Sequence, residues 1–182
     1  DKLQKELKKI HEIYGTTTIH VTHDFNEAVN LADRIAILKD GNIVQVGQPR
    51  EVFNKPKNGF VAEFGGNKNI YKGTIKENNG CKKIKINEDT TFDILSDHSG
   101  EANITIRPEN IIVSKHPVES SARNVIKGEV IEILDRLSYI ELIIDIGVTI
   151  SVHITNESLE SLDIKIGDQI YTIFKASSVH VF

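Results

Sequence analysis

Residues 16–28 constrain this chain most, because they ask for a strand and a helix back to back. Thr16, Thr17, Thr18, Ile19 and Val21 are β-branched, a texture that suits a strand packed on both faces. Asp24 reads as the N-cap of the helix that follows, with Glu27 three residues on to close a capping box. Phe25, Ala28, Val29 and Ala32 then fall at helical spacing and give that helix one apolar face. The spacing predicts a buried strand ending next to His23, at the carboxyl edge where ligands bind in α/β sheets.

The flanking pattern extends this α/β reading. Leu3, Leu7, Ile10 and Ile13 fall at three- and four-residue steps and predict a helix over 1–14, ended by Gly15. Residues 34–39 and 42–46 read as two strands of a hairpin, because Asp40-Gly41 is a strong two-residue turn signal. Pro49 sits in the first turn of a short helix running to Phe53, and Pro56 stops it. Phe60, Val61 and Phe64 form a last small helix before Gly65-Gly66.

After a polar linker at 66–69 the texture changes to short strands with turns about every ten residues, the mark of a small barrel or sandwich. Strands are expected over 71–76, 82–87, 91–95 and 102–106, the first two separated by Asn78-Asn79-Gly80. Arg107-Pro108 opens a turn, and Ile112 and Val113 follow. A crossover at 115–121 leads to strands over 125–134, 138–146, 149–154, 169–174 and 178–182, with a helical turn at 156–162. Five strands with one short helix fit an OB-like Greek-key barrel. The expected architecture is therefore α+β, with domains at 1–66 and 67–182 and the barrel at 121–182.

Composition narrows the function. A formal net charge of −4 speaks against a general nucleic-acid or anionic-membrane binder. The basic residues are not interleaved with aromatic ones, so a single-strand-binding barrel ranks last. No apolar run approaches the ~18 residues of a membrane span. The single cysteine, Cys81, suits a reducing compartment, and no His/Cys spacing suggests zinc. The chain has no methionine, which is expected of a piece from inside a longer protein.

The run from Thr16 to Phe64 resembles the final third of an ABC transporter ATPase domain. The carriers are Thr22-His23-Asp24 with Glu27-Ala28, then DRIAILKDGNIVQVGQPREVFNKP, then FVAEFGG. A lone strand-end histidine is ordinarily structural; here the resemblance implies that His23 is the switch histidine, which reaches the γ-phosphate of ATP and helps hold the attacking water. No G-x-x-x-x-G-K-[ST] loop, signature motif or strand-end Asp-Glu pair occurs in the sequence. ATP and Mg²⁺ are therefore expected in an intact protein and not here, and this stretch alone is expected to be inactive.

Residues 121–182 resemble the TOBE, or molybdenum-pterin-type, domain of oxyanion-binding proteins. SARN at 121–124 and KASSVHV at 175–181 carry the likeness, and IRPENI at 106–111 is similar to the regulatory domain that follows many ABC importer ATPases. The resemblance implies molybdate or tungstate at Ser121, Ala122, Arg123, Asn124, Lys175 and Ser177. A dianion needs hydroxyl and amide donors with a cation nearby: Ser121 and Ser177 offer hydroxyls, Ala122 and Arg123 amides, and Lys175 charge. An entry turn and a solvated lysine are the plain alternative. The resemblance further implies a homodimer on membrane permease subunits, cytoplasmic and peripheral on the inner face of the membrane; the acidic balance adds the expectation of no nucleic-acid partner. A dimerisation domain of a sugar-type importer, with no oxyanion site, is the competing function.

Overall fold

A computed structural model describes residues 2–78 and 80–182, with Asn78 given by its backbone alone. Asp1, expected to open the first helix, and Asn79 of the expected turn lie outside the described residues. The chain divides into two compact units, Asp1–Gly66 and Asn67–Phe182.

In the first unit, helix α1 spans Lys2–Tyr14, and its apolar stripe is at the expected positions. None of it is buried: Leu3 is 68% and Ile13 64% exposed. Gly15 ends the helix at φ +60°, with its N–H on the carbonyl of His11. The strand expected over 16–21 does not form. Residues 15–22 carry no regular structure, and Ile19 and Val21 are each 90% exposed. β-Branching favours extended backbone, but a strand exists only by pairing, and no described strand lies beside this one.

The helix after it, α2 (Phe25–Leu31), starts where expected. The Glu27 N–H donates to Asp24 Oδ1 at 2.8 Å. The return arm of the capping box is missing. Asp24 N–H donates to Thr22 Oγ1 instead, and the Glu27 carboxylate lies 3.4 Å from His20 Nε2. Strands β1 (Ile35–Lys39) and β2 (Asn42–Gly47) form the hairpin. Its turn residues Asp40 and Gly41 both have positive φ, +50° and +75°, which is the twist a two-residue hairpin needs. Helix α3 (Pro49–Asn54) carries Pro49 in its first turn, and α4 (Gly59–Phe64) is capped by Asn58, which accepts from Val61 N–H. Ile35, Ile37, Val52, Phe53 and Val61 form a small core, with Phe25 edge-on to Phe53 at 4.5 Å.

The second unit is mostly β. Its strands are β3 (Asn69–Asn78), β4 (Cys81–Lys85), β5 (Thr91–Ile94), β6 (Gly100–Ile106), β7 (Ile112–Ser114), β8 (Asn124–Asp135), β9 (Ile140–Asp145), β10 (Thr149–Ile154), β11 (Gln169–Phe174) and β12 (Val179–Val181), with helix α5 (Asn156–Ser161) between β10 and β11. They make two antiparallel five-stranded sheets, in the orders β5-β4-β3-β6-β12 and β10-β9-β8-β11-β7. The two orders are the same arrangement made twice. Each half supplies four strands to its own sheet and one short strand to the other.

This corrects the barrel expected over 121–182. Its fifth strand, β12, pairs with β6 of the preceding half, through Val179↔Ile106 and Val181↔Ile104. Its place beside β11 is taken by β7, through Thr172↔Val113. Both short strands leave a one-turn 3₁₀ segment, Pro108–Asn110 before β7 and Ala176–Ser178 before β12. A single core joins the halves. Ile84, Phe92, Ile104 and Ile106 from one meet Leu142, Ile144, Ile150 and Ile170 from the other, all within 1% of full burial.

Candidate functional site

The last rung of the β8·β11 ladder pairs Asn124 with Phe174. Arg123 and Lys175 are the next residues outward on the two strands, so they leave the sheet side by side at one end. The segments 121–123 and 175–178 thus start from neighbouring positions at that end of the sheet. Ser121, Arg123, Lys175 and Ser177 are exposed there, and Ala122 is half-buried. Among the described residues, neither Arg123 nor Lys175 forms an ion pair. Arg123 also lines an open groove with Cys81, Lys82, Leu95, Ser96 and Asp97.

Two of the expected donors are already engaged. The Ala122 N–H donates to Ser120 Oγ at 3.2 Å. Asn124 is buried, and both ends of its amide clamp β8 to β5. Its Oδ1 accepts from Asp93 N–H at 2.8 Å, and its Nδ2 donates to Asp93 O at 3.0 Å. Asn124 therefore fixes where Arg123 emerges. His23 is exposed in the other unit, just ahead of the Asp24 cap.

A second polar cluster escaped the sequence reading. Glu141 on β9 is 0% exposed and accepts four hydrogen bonds. Lys68 Nζ donates to both carboxylate oxygens, at 2.7 and 2.8 Å, Ser151 Oγ to Oε1 at 2.7 Å, and Arg136 Nε to Oε2 at 2.9 Å. Burial pushes the Glu141 carboxyl up, but the bonds from Lys68, Ser151 and Arg136 outweigh it and bring it down to about 2. His153 pairs opposite Glu141 and stacks on Tyr139 at 3.9 Å. Burial lowers its pKa against the pull of Glu109 and Glu141. The signal in the sequence is a lone acid inside the apolar run Ile140-Glu141-Leu142-Ile143-Ile144, a position where a charge must be partnered.

The TOBE domain family model matches residues 120–181. Over all 182 residues the chain is 40% identical to the molybdate/tungstate import ATP-binding protein WtpC of Pyrococcus horikoshii, of which it covers 51%. The chain carries a TOBE domain and is similar over its whole length to ABC import ATP-binding proteins. It is also 34% identical, over 83% of its length, to 42% of the spermidine/putrescine import ATP-binding protein PotA of Trichormus variabilis. The chain thus spans about half the length of the curated relatives it matches. The fold of the cytoplasmic molybdate-binding protein ModG, solved with molybdate bound, covers 63% of this chain and 95% of its own, with a TM-score of 0.55 at 19% identity. That likeness agrees with the OB-like half-barrels of the second unit.

Proposed function

We propose that this chain is the carboxyl-terminal regulatory portion of the ATP-binding subunit of an ABC importer, and that its β unit takes up molybdate or tungstate where residues 121–123 meet 175–177. The juxtaposition of Arg123 and Lys175 at the end of the β8·β11 ladder carries this reading. Ser121 and Ser177 add hydroxyl donors, Arg123 its amide as well as its guanidinium, and Asn124 holds the strand end in place. In the intact protein, ATP and Mg²⁺ would sit in the other domain, with His23 at the γ-phosphate. Two such subunits would work as a homodimer on the cytoplasmic face of the membrane, against the permease. An oxyanion that binds one dimer arrangement better must shift the population toward it, which makes the β unit a sensor of the imported anion.

A second reading rests on the likeness to PotA, a spermidine/putrescine import ATP-binding protein. On that reading the β unit only dimerises and has no anion to sense. Calorimetry with molybdate and tungstate separates the two. The sensing reading expects micromolar or tighter binding, weakened at least about tenfold in an R123A/K175A double variant through loss of charge-assisted hydrogen bonds. Absence of heat with either anion, at concentrations where the dimer forms, leaves the dimerisation reading.

A further inference from the structure

The duplication in the second unit gives each strand of one half a counterpart in the other. Asn69 opens β3 as Asn124 opens β8, in the strings Asn69-Ile-Tyr-Lys-Gly73 and Asn124-Val-Ile-Lys-Gly128. Asn69 clamps β3 to β10 as Asn124 clamps β8 to β5. Its Nδ2 donates to Ser151 O, and its Oδ1 accepts from Ser151 N–H, both at 2.7 Å. Gly73 presses on Ile84 and Lys85 as Gly128 presses on Ile144 and Asp145. By this register Lys68 is the counterpart of Arg123. Cys81 precedes Lys85 by the same four residues that separate Glu141 from Asp145, so Glu141 is the counterpart of Cys81. The groove beside Arg123 is lined by Cys81. The corresponding place beside Lys68 holds the Glu141 carboxylate.

We propose that the first half of the β unit contains a second oxyanion-shaped site which the chain keeps filled with its own carboxylate, Glu141, so that only the Arg123 side is open to a ligand. The donors at Glu141 are those a tetrahedral oxyanion needs: an ammonium, a guanidinium and a hydroxyl, converging within 2.9 Å on one buried anion. The open groove has a guanidinium and an ammonium of its own, Arg123 and Lys82, with Glu77 and Asp97 also on its wall; Lys175 follows the last residue of β11 that pairs with β8. The groove has the small side chain of Cys81 where the closed side has a glutamate. One consequence is stoichiometric: each chain takes one oxyanion rather than two. Glu141 also ties the halves together, because Lys68 leads into β3 of one and Glu141 lies on β9 of the other.

The proposal rests on the oxyanion reading only for the open side, and the test keeps the two apart. Glu141→Ala is introduced into the full chain carrying R123A/K175A, and bound molybdenum is counted after dialysis against molybdate. The expected result is a gain of about one anion per chain, abolished by Lys68→Ala. A folded variant that gains none overturns the proposal. If Glu141→Ala does not fold by itself, molybdate restores the fold where chloride at equal ionic strength does not; failure of molybdate to restore it overturns the proposal equally. The reciprocal change, Cys81→Glu in the otherwise unaltered chain, places a carboxylate beside Arg123 at an exposed position. It is expected to cut anion uptake at least tenfold, and undiminished uptake by this variant counts against the proposal. An unaltered chain that binds no anion refutes the Arg123/Lys175 reading, while the Glu141→Ala gain still decides the closed side.

Discussion

A carboxylate wholly removed from water persists only if its partners repay the desolvation. Glu141 has four hydrogen bonds to do so, and they hold its carboxyl below the ordinary range. Its folded pKa, about 2, lies below the ordinary 4.5, so folding favours the ionised form. The stability this gives is fully present above about pH 4.5 and disappears as pH falls toward 2. Its size is roughly 3 kcal/mol, from about 1.4 kcal/mol per pH unit. His153 has the same sign, because a lowered histidine pKa favours the neutral ring; its contribution is also lost on acidification. Urea unfolding between pH 6 and pH 3 is therefore expected to show falling stability, and Glu141→Gln should remove the carboxylate's share of the slope. Lys68→Met should cost about 1–3 kcal/mol at pH 7, the usual penalty for leaving a buried acceptor short of a donor.

Backbone approach decides matters that no single side chain controls. A Cβ on Gly128 would lie 2.5 Å from the Asp145 carbonyl, and one on Gly73 2.5 Å from the Lys85 carbonyl. Backbone inside a sheet cannot swing aside, so each Gly→Ala change is expected to destabilise by about 1–3 kcal/mol. Equal shifts in the denaturation midpoints of G73A and G128A would bear out the equivalence of the halves; a shift near zero in either would break it. Elements governed by local chemistry were legible in the sequence. The Asp24 cap, the Asp40-Gly41 hairpin and the Pro49 helix start depend on residues within one turn of each other. The strand over 16–21 was misread because β-branching reports a preference, while pairing depends on neighbours far along the chain. The same limit hid the exchange of β7 and β12. Three residues after a 3₁₀ turn do not announce which sheet they will join. The repeated Asn-x-x-Lys-Gly at 69–73 and 124–128 is the signal that would have exposed the duplication. The two segments of the candidate site were marked by two motifs, whereas Glu141 needed the register of both halves to acquire its meaning.

The exchanged strands give the β unit a cooperativity that two separate barrels would lack. Residues 116–182 contain β12 without its partner β6, and lack the β7 that completes their own sheet. Val179 and Val181 would lose their burial, as would Ile111 and Val113 of the other half, all now at most 9% exposed. Each such side chain is worth about 1.5–3 kcal/mol. Two per half amount to something on the order of 5 kcal/mol, comparable with the whole stability of an ordinary domain. The core shared by the two sheets adds to the loss, since Ile104 and Ile106 pack with Leu142 and Ile144 in one cluster. Fragments 67–115 and 116–182, expressed separately, are therefore expected to give collapsed amide spectra with little dispersion by NMR. Mixing them should restore a dispersed spectrum, because the β6·β12 and β11·β7 ladders can form between chains as well as within one. The cost is the loss of the millimolar effective concentration that the covalent link supplies, so recovery should depend on fragment concentration. A well-dispersed spectrum from 116–182 alone, unchanged by adding 67–115, would mean that the second half completes its own barrel and that the exchange contributes little to its fold.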